Sequence, residues 1–212
     1  MRCSKDNFIL YGVTDRKWTG KLSLLEQAEE ALKNGLTCLQ LREKNIDPRS
    51  FLEEAISLKK LCDAYHVPLI INDNVDIAVA CNADGIHVGQ DDMNAADVRK
   101  RVGENMIIGV SAHTVSEALA AQKNGGDYIG VGAVFPTSTK TNVSPMPAET
   151  LREITSAVTI PAVAIGGITK ENVIHLSGTG IDGIAVVSAI FGADDIGAET
   201  SALRQLVEKY LL

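Results

Sequence analysis

Residues 39–45, "LQLREKN", carry the first chemistry of the chain. In an extended segment Leu39 and Leu41 take one face while Gln40, Arg42 and Lys44 take the other, because strand side chains alternate with a period of two. An amide and two cations in register make a donor-rich wall suited to a phosphate or diphosphate. If both faces of the strand are covered, those charges must reach a mouth or pocket and meet an anion there. The alternative is a surface strand whose polar face is simply solvated.

Two carboxylates offer a counterpart. Asp73 closes "IIND" and Asp92 closes "VGQDD", with Asp91 beside it. Anions gathered at one rim repel unless a cation joins them, and a hard, oxygen-liganded site with few protein carboxylates suits Mg2+ shared with a substrate diphosphate. Each aspartate also has a plainer reading: Asp73 as a cap on a helix beginning at Val75, Asp92 as a cap before Ala95. "FPTSTKTN" is hydroxyl-rich. Its Thr137, Ser138 and Thr139 can donate without adding charge, and Lys140 stands near the tip, where a lid over an anion would be useful; a surface loop has the same composition.

Gly166 and Gly167 in "AIGGI", with Val187 and Ser188 at the end of the last strand-like run, match a cradle in which backbone N–H groups and a nearby helix N-terminus hold a phosphate monoester. Among the histidines, His87 inside "GIHVG" reads first as a satisfied core residue and second as a general base. His66 and His175 read as structural, and His113, following Ser111 at a strand end, as a residue one step removed from the chemistry.

The elements that must position these groups alternate from end to end. Strand-like runs are "FILYGVTD", "TCLQLRE", "PLIIND", "DGIHVG", "MIIGVSA", "YIGVGAV", "PAVAIGG" and "GIAVVSA", each followed by a helical pattern or turn, the third of them, "VDIAVACNA", short. Ser23, Asn94, Thr114 and Thr169 stand just before apolar-periodic segments, and Gly35, Gly103, Gly125 and Gly180 just after them, as helix start and stop signals. Such alternation requires parallel strands with crossover helices. Eight units in 212 residues predict an α/β fold, a single (β/α)8 TIM barrel over residues 1–212, rather than an open doubly wound sheet, whose glycine-rich dinucleotide fingerprint is missing from the first loop, "DRKWTGK". The similarity of "GVTD" to "IIND" is too short to define a repeat. In a barrel, chemistry gathers at the C-terminal ends of the strands, which is where the anion- and metal-binding candidates above fall.

Composition bounds the partners. A formal charge of −7 argues against broad binding to nucleic acid or to an anionic membrane surface, so an anionic ligand must be a small molecule bound in a local pocket. No apolar run approaches bilayer-spanning length and the N-terminus does not read as an export signal. Cys3, Cys38, Cys62 and Cys81 are scattered, with no zinc or redox spacing, and read as buried reduced thiols of a cytoplasmic protein. A homo-oligomer is compatible with these features.

The ordered set "YGVTD", "QLREK", "IIND", "DGIHVGQDD", "IIGVSAHT", "GAVFPTSTK", "AIGGI" and "GIAVVSAIF" resembles the thiamine-phosphate synthase (thiamine-phosphate pyrophosphorylase) family over Tyr11 to Phe191. The resemblance implies a transferase that joins 4-amino-2-methyl-5-pyrimidinylmethyl diphosphate to 4-methyl-5-(2-phosphooxyethyl)thiazole, or its carboxylated form, releasing diphosphate. It implies that Gln40, Arg42, Lys44 and Asn72 hold the pyrimidine diphosphate, that Asp73 and Asp92 ligate Mg2+, and that Ser111 lies near the pyrimidine and the departing diphosphate. By the same resemblance Thr137 and Thr139 contact the thiazole phosphate, Lys140 contacts the diphosphate, and Gly167, Val187 and Ser188 cradle the thiazole phosphate. Arg42, Lys44, Ser111 and Lys140 are then the expected catalytic residues. Ala133 departs mildly from the family pattern, where proline is expected. A related thiazole tautomerase would share the barrel but need no diphosphate wall. A sugar-phosphate isomerase would need a facing acid/base pair that the sequence does not offer.

Overall fold

The computed structural model describes residues 3–20, 22–137 and 145–212. Eight parallel strands close into one barrel in chain order: β1 (Leu10–Val13), β2 (Cys38–Leu41), β3 (Leu69–Asn72), β4 (Gly85–Val88), β5 (Ile107–Ala112), β6 (Tyr128–Gly132), β7 (Ala162–Ile165) and β8 (Gly183–Val186), with β8 pairing back onto β1. Helices α1 (Leu24–Lys33), α2 (Pro48–Ala64), α3 (Val75–Ala80), α4 (Ala95–Val102), α5 (Val115–Lys123) and α6 (Ala148–Ala157) cover the outside. The seventh crossover is not the helix that Thr169 would cap but a single 3-10 turn, Val173–Leu176, headed by Asn172. After β8 a short helix α7 (Ser188–Phe191) precedes the C-terminal α8 (Ile196–Tyr210).

Local chemistry sets the helix ends. Ser23 and Glu26 form a reciprocal capping box on α1, and the side chains of Asn94 and Thr114 accept backbone N–H groups at the starts of α4 and α5. Asp47 caps α2, where Pro48 occupies the first turn and so removes an N–H that would have had no partner. Each strand has two buried faces. Leu39, Leu41, Ile71, Ile86 and Ile129 pack outward on the helices, while Tyr11, Cys38, Ile70, Ile107, Tyr128 and Val163 fill the barrel interior. Every such fully buried aliphatic side chain stabilises the fold by roughly 1.5–3 kcal/mol.

The lower, N-terminal end of the barrel is stapled four times. Thr37, Asp84, Asp127 and Asp182 stand immediately before β2, β4, β6 and β8, and each side chain accepts a strand N–H next door, from Leu10, Leu69, Ile108 and Ala162 respectively, at 2.8–2.9 Å. In each case the backbone N–H returns a bond to the carbonyl of the same neighbour. A fourfold repeat of strand pairs is therefore built into a chain whose halves show little internal similarity.

Candidate active site

The opposite, C-terminal end opens into a cavity of about 290 Å3. The register explains which residues reach it. Gln40 pairs with Val13 and Ile70 and faces inward at the top of β2, buried, while Leu39 and Leu41 face the helices as the alternation predicted. Strand β2 ends at Leu41, so Arg42 and Lys44 belong to the loop beyond it rather than to a strand face continued in register. Their neighbours separate them. Arg42 lines the cavity, its backbone N–H donating to Thr14 Oγ1 at 3.0 Å. Glu43 turns away to accept Arg16 Nε at 3.0 Å, and Arg16 also reaches Glu54 at 2.8 Å. Lys44 leans outward, with its Nζ 2.6 Å from Asp73 Oδ2. It lines a second, more open groove of about 430 Å3 with Asn72, Asp73, Asp76 and Arg101. Asn72 borders both spaces, so cavity and groove adjoin at the end of β3.

Neither aspartate is a helix cap. Asn74 caps α3 and Asn94 caps α4. Asp73 adopts a left-handed backbone, φ +61°, a conformation that L residues other than Asn, Asp and Gly rarely take. Its N–H donates to the His87 carbonyl at 2.8 Å, and Asp92 Oδ2 accepts the Gly89 N–H at 2.8 Å. The two carboxylates thus hang from adjacent strand ends, tied to residues two apart at the top of β4. Each keeps one oxygen without a hydrogen bond among the described residues. Among the described residues no group of three or more His, Cys, Asp or Glu encloses a metal with protein ligands alone. Two hard oxygen donors with spare coordination fit a magnesium ion that takes its remaining ligands from water and substrate phosphates.

Across the mouth, Gly166 and Gly167 turn the chain sharply after β7, at φ +101° and +67°. A side chain at Gly167 would lie 2.2 Å from the Pro136 carbonyl, so the close approach of the two loops requires glycine. Asn172 locks the turn by donating to the Gly167 carbonyl and accepting the Thr169 N–H, both at 2.8 Å. Val187 and Ser188 do not extend β8: the strand stops at Val186, Val187 is the N-cap of α7 without a side-chain cap bond, and Ser188 is its first residue. Helix-start N–H groups are thereby left at the cavity wall beside the glycine turn. Thr137 is half-buried and lines the same cavity, whereas Ser138, Thr139 and Lys140 lie outside the described residues.

The floor holds residues whose roles the sequence reading missed. Tyr11 and Tyr128 meet hydroxyl to hydroxyl at 2.9 Å; Gln40 Nε2 donates to Tyr11 at 2.6 Å; and His87 lies between Tyr128 and Ser111, at 3.0 Å from each. Burial holds both tyrosine hydroxyls well above the usual phenol range, so they stay protonated. His87 is satisfied, as the first reading expected, yet it also borders the cavity. The available signal was its inward register on β4, opposite Asn72 on β3. His113 lies at the rim, its Nδ1 3.1 Å from Glu117. Ser111 Oγ faces the cavity, and Gln90 Nε2 holds its carbonyl at 2.5 Å.

A closed parallel barrel with its cavity at the C-terminal mouth defines a (β/α)8-barrel enzyme. Residues 10–190 match the family model described as thiamine monophosphate synthase. The thiamine-phosphate synthase of Ruminiclostridium cellulolyticum is 51% identical over 96% of this chain and 97% of its own, and that of Clostridium tetani 53% identical over 88% and 90%. A solved thiamine phosphate pyrophosphorylase from Pyrococcus furiosus superposes with TM-score 0.89 at 40% identity, covering 98% of this chain and 99% of that one. The chain belongs to the thiamine monophosphate synthase family, and is thus an alkyl-transferring enzyme of thiamine biosynthesis. No helix of the described residues is long and apolar enough to cross a membrane.

Proposed function

We propose that residues 1–212 form one catalytic domain that transfers the 4-amino-2-methyl-5-pyrimidinylmethyl group from its diphosphate to the nitrogen of 4-methyl-5-(2-phosphooxyethyl)thiazole, or its carboxylated form, releasing diphosphate. The observation that carries this reading is that one mouth brings together two sets of groups suited to phosphates. Gln40, Arg42 and Asn72 line the cavity from β2 and β3, next to the groove where Lys44 meets Asp73, and Gly167, Val187 and Ser188 line the same cavity from β7 and β8. A two-substrate transfer between phosphorylated partners needs both.

In this reading Asp73 and Asp92 would hold Mg2+, which supplies charge neutralisation for a leaving diphosphate. Arg42 and Lys44 bind the same phosphates from the cavity and groove sides, with Lys140 contacting them from the loop after β6. Their fixed positive charges favour the state in which the carbon–oxygen bond has lengthened and negative charge has moved onto the diphosphate. Cationic character left on the pyrimidinylmethyl carbon is spread into the electron-rich aminopyrimidine, and the thiazole nitrogen attacks that carbon. Thr137 and Thr139, with Gly167, Val187 and Ser188, orient the thiazole by its phosphate. No strong general base is required. The resulting enzyme works on small molecules, not on nucleic acid or membrane, in the cytoplasm, and a homo-oligomer is compatible with it.

Incubation with both substrates, with and without Mg2+, while diphosphate release is followed, tests the reading. Release is expected only with both substrates and the metal. Tight binding of either compound without turnover would make the pocket a sensor and overturn it.

A further inference from the structure

The five polar residues under the cavity form one unbroken chain of hydrogen bonds from β2 to β5, and the chain has a direction. Gln40 Nε2 donates to the Tyr11 oxygen at 2.6 Å. A phenol has one hydrogen to give. With its oxygen occupied by the amide, Tyr11 gives that hydrogen to Tyr128, 2.9 Å away; its other polar neighbour, Cys38, is only a weak acceptor. Tyr128, accepting from Tyr11, can in turn give its own hydrogen to His87 Nδ1, 3.0 Å away. The ring hydrogen then belongs on Nε2, which faces Ser111 Oγ at 3.0 Å. Ser111 receives a hydrogen from the ring and must direct its own elsewhere, and its open side is the cavity.

The arrangement is built rather than incidental. A Cβ at Gly109 would lie 2.1 Å from Tyr128 Cζ, and one at Gly130 would lie 3.1 Å from His87 Cε1, so two strand glycines clear the space these rings occupy. The opposite amide orientation at Gln40 would reverse every link. Tyr11 would then donate to Gln40, His87 would carry its hydrogen on Nδ1, and Ser111 would surrender its hydrogen to the ring and show the cavity a lone pair. One amide therefore decides whether Ser111 is a donor or an acceptor toward ligand.

We propose that Gln40, Tyr11 and Tyr128 act as positioning residues that hold His87 as the Nε2–H tautomer and aim the Ser111 hydroxyl hydrogen into the cavity. That the recipient is an oxygen of the departing diphosphate or an acceptor atom of the pyrimidine rests on the proposed function; the tautomer does not. Two-bond proton–nitrogen NMR on the full-length, 15N-labelled protein reads it directly, with the His87 signals identified by their loss in His87→Gln. The expected wild-type spectrum has a protonated Nε2 and an unprotonated Nδ1 displaced upfield by accepting a hydrogen bond. In Tyr128→Phe that displacement disappears, and kcat falls about tenfold, as loss of one hydrogen bond of about 1.4 kcal/mol implies, while KM for the thiazole phosphate stays unchanged. Gln40→Glu places an acceptor at the head of the chain and is expected to move the ring hydrogen to Nδ1. A wild-type ring protonated at Nδ1 or at both nitrogens overturns the proposal, and so does a folded Gln40→Glu protein whose tautomer is unchanged. Should Gln40→Glu fail to fold, an unaltered Nδ1 resonance in Tyr128→Phe overturns it instead. The expected tautomers in a protein that does not turn over the two substrates would sink the substrate assignment and support the relay.

Discussion

The two ends of this barrel use the same residue type for opposite purposes. At the lower end Asp84, Asp127 and Asp182 each accept a strand N–H, and Lys59, Arg99 and Lys5 lie against them, so each side chain is held by at least two polar contacts within the protein. At the upper end Asp73 and Asp92 are held by one bond each, and each keeps an oxygen with no hydrogen bond among the described residues. A carboxylate held twice by its own fold stabilises; one held once keeps more of its capacity to bind. The number of bonds already made, more than the residue's identity or charge, separates structural from functional aspartates here.

Substitutions at the two ends should therefore fail differently. Arg42→Ala at the upper end is expected to lower kcat/KM for the pyrimidine diphosphate by about 100- to 1000-fold, the scale of removing one transition-state charge contact. Its thermal midpoint should stay near that of wild type. Parallel kinetics and melting would break the contrast if stability fell instead. Asp127→Ala at the lower end strands Arg99, which is largely buried and donates to the Gly103, Met106 and Gly125 carbonyls as well. It should cost roughly 3 kcal/mol of stability in urea unfolding, with normal turnover per folded molecule.

Gly109→Ala couples the ends, because its Cβ would strike the Tyr128 ring. About 1–3 kcal/mol of stability should be lost together with activity, which a double perturbation with Tyr128→Phe would show to be non-additive. Thr37→Val removes only the uncharged staple on Leu10 and should cost about 1 kcal/mol with no kinetic effect. Smallest of all, the four thiols are buried, and burial pushes Cys62 up to about 12 and raises Cys38 and Cys81. A thiol reagent at pH 8 should leave the native enzyme unlabelled and label it fully after denaturation.

Much of this architecture was legible in the chain. Strand-length apolar runs alternating with capped helical segments predicted parallel strands, and the first loop's lack of a glycine-rich fingerprint favoured the closed barrel over an open doubly wound sheet. The staple was legible too: "DGIHV", "DYIGV" and "DGIAV" repeat Asp before an alternating strand, and "TCLQL" substitutes Thr37. The signal is one residue per strand pair, too sparse to register as internal similarity. Two errors were also local. Lys44 was placed on a strand that ends at Leu41, and Ser188 on one that ends at Val186, because periodicity does not mark where pairing with a neighbour stops.

The sequence by itself determined the fold class, the rim on which chemistry falls, and the groups available there, because strand alternation, caps and glycine turns are properties of a few adjacent residues. Tertiary structure alone decided the partners. Tyr11 and Tyr128 stand 117 positions apart, and Lys44 and Asp73 29 apart; they meet only because closing the sheet brings inward-facing registers and strand ends together. A hydrogen bond depends on tenths of an ångström and on which lone pair is already used, and neither is set until every strand has its neighbour.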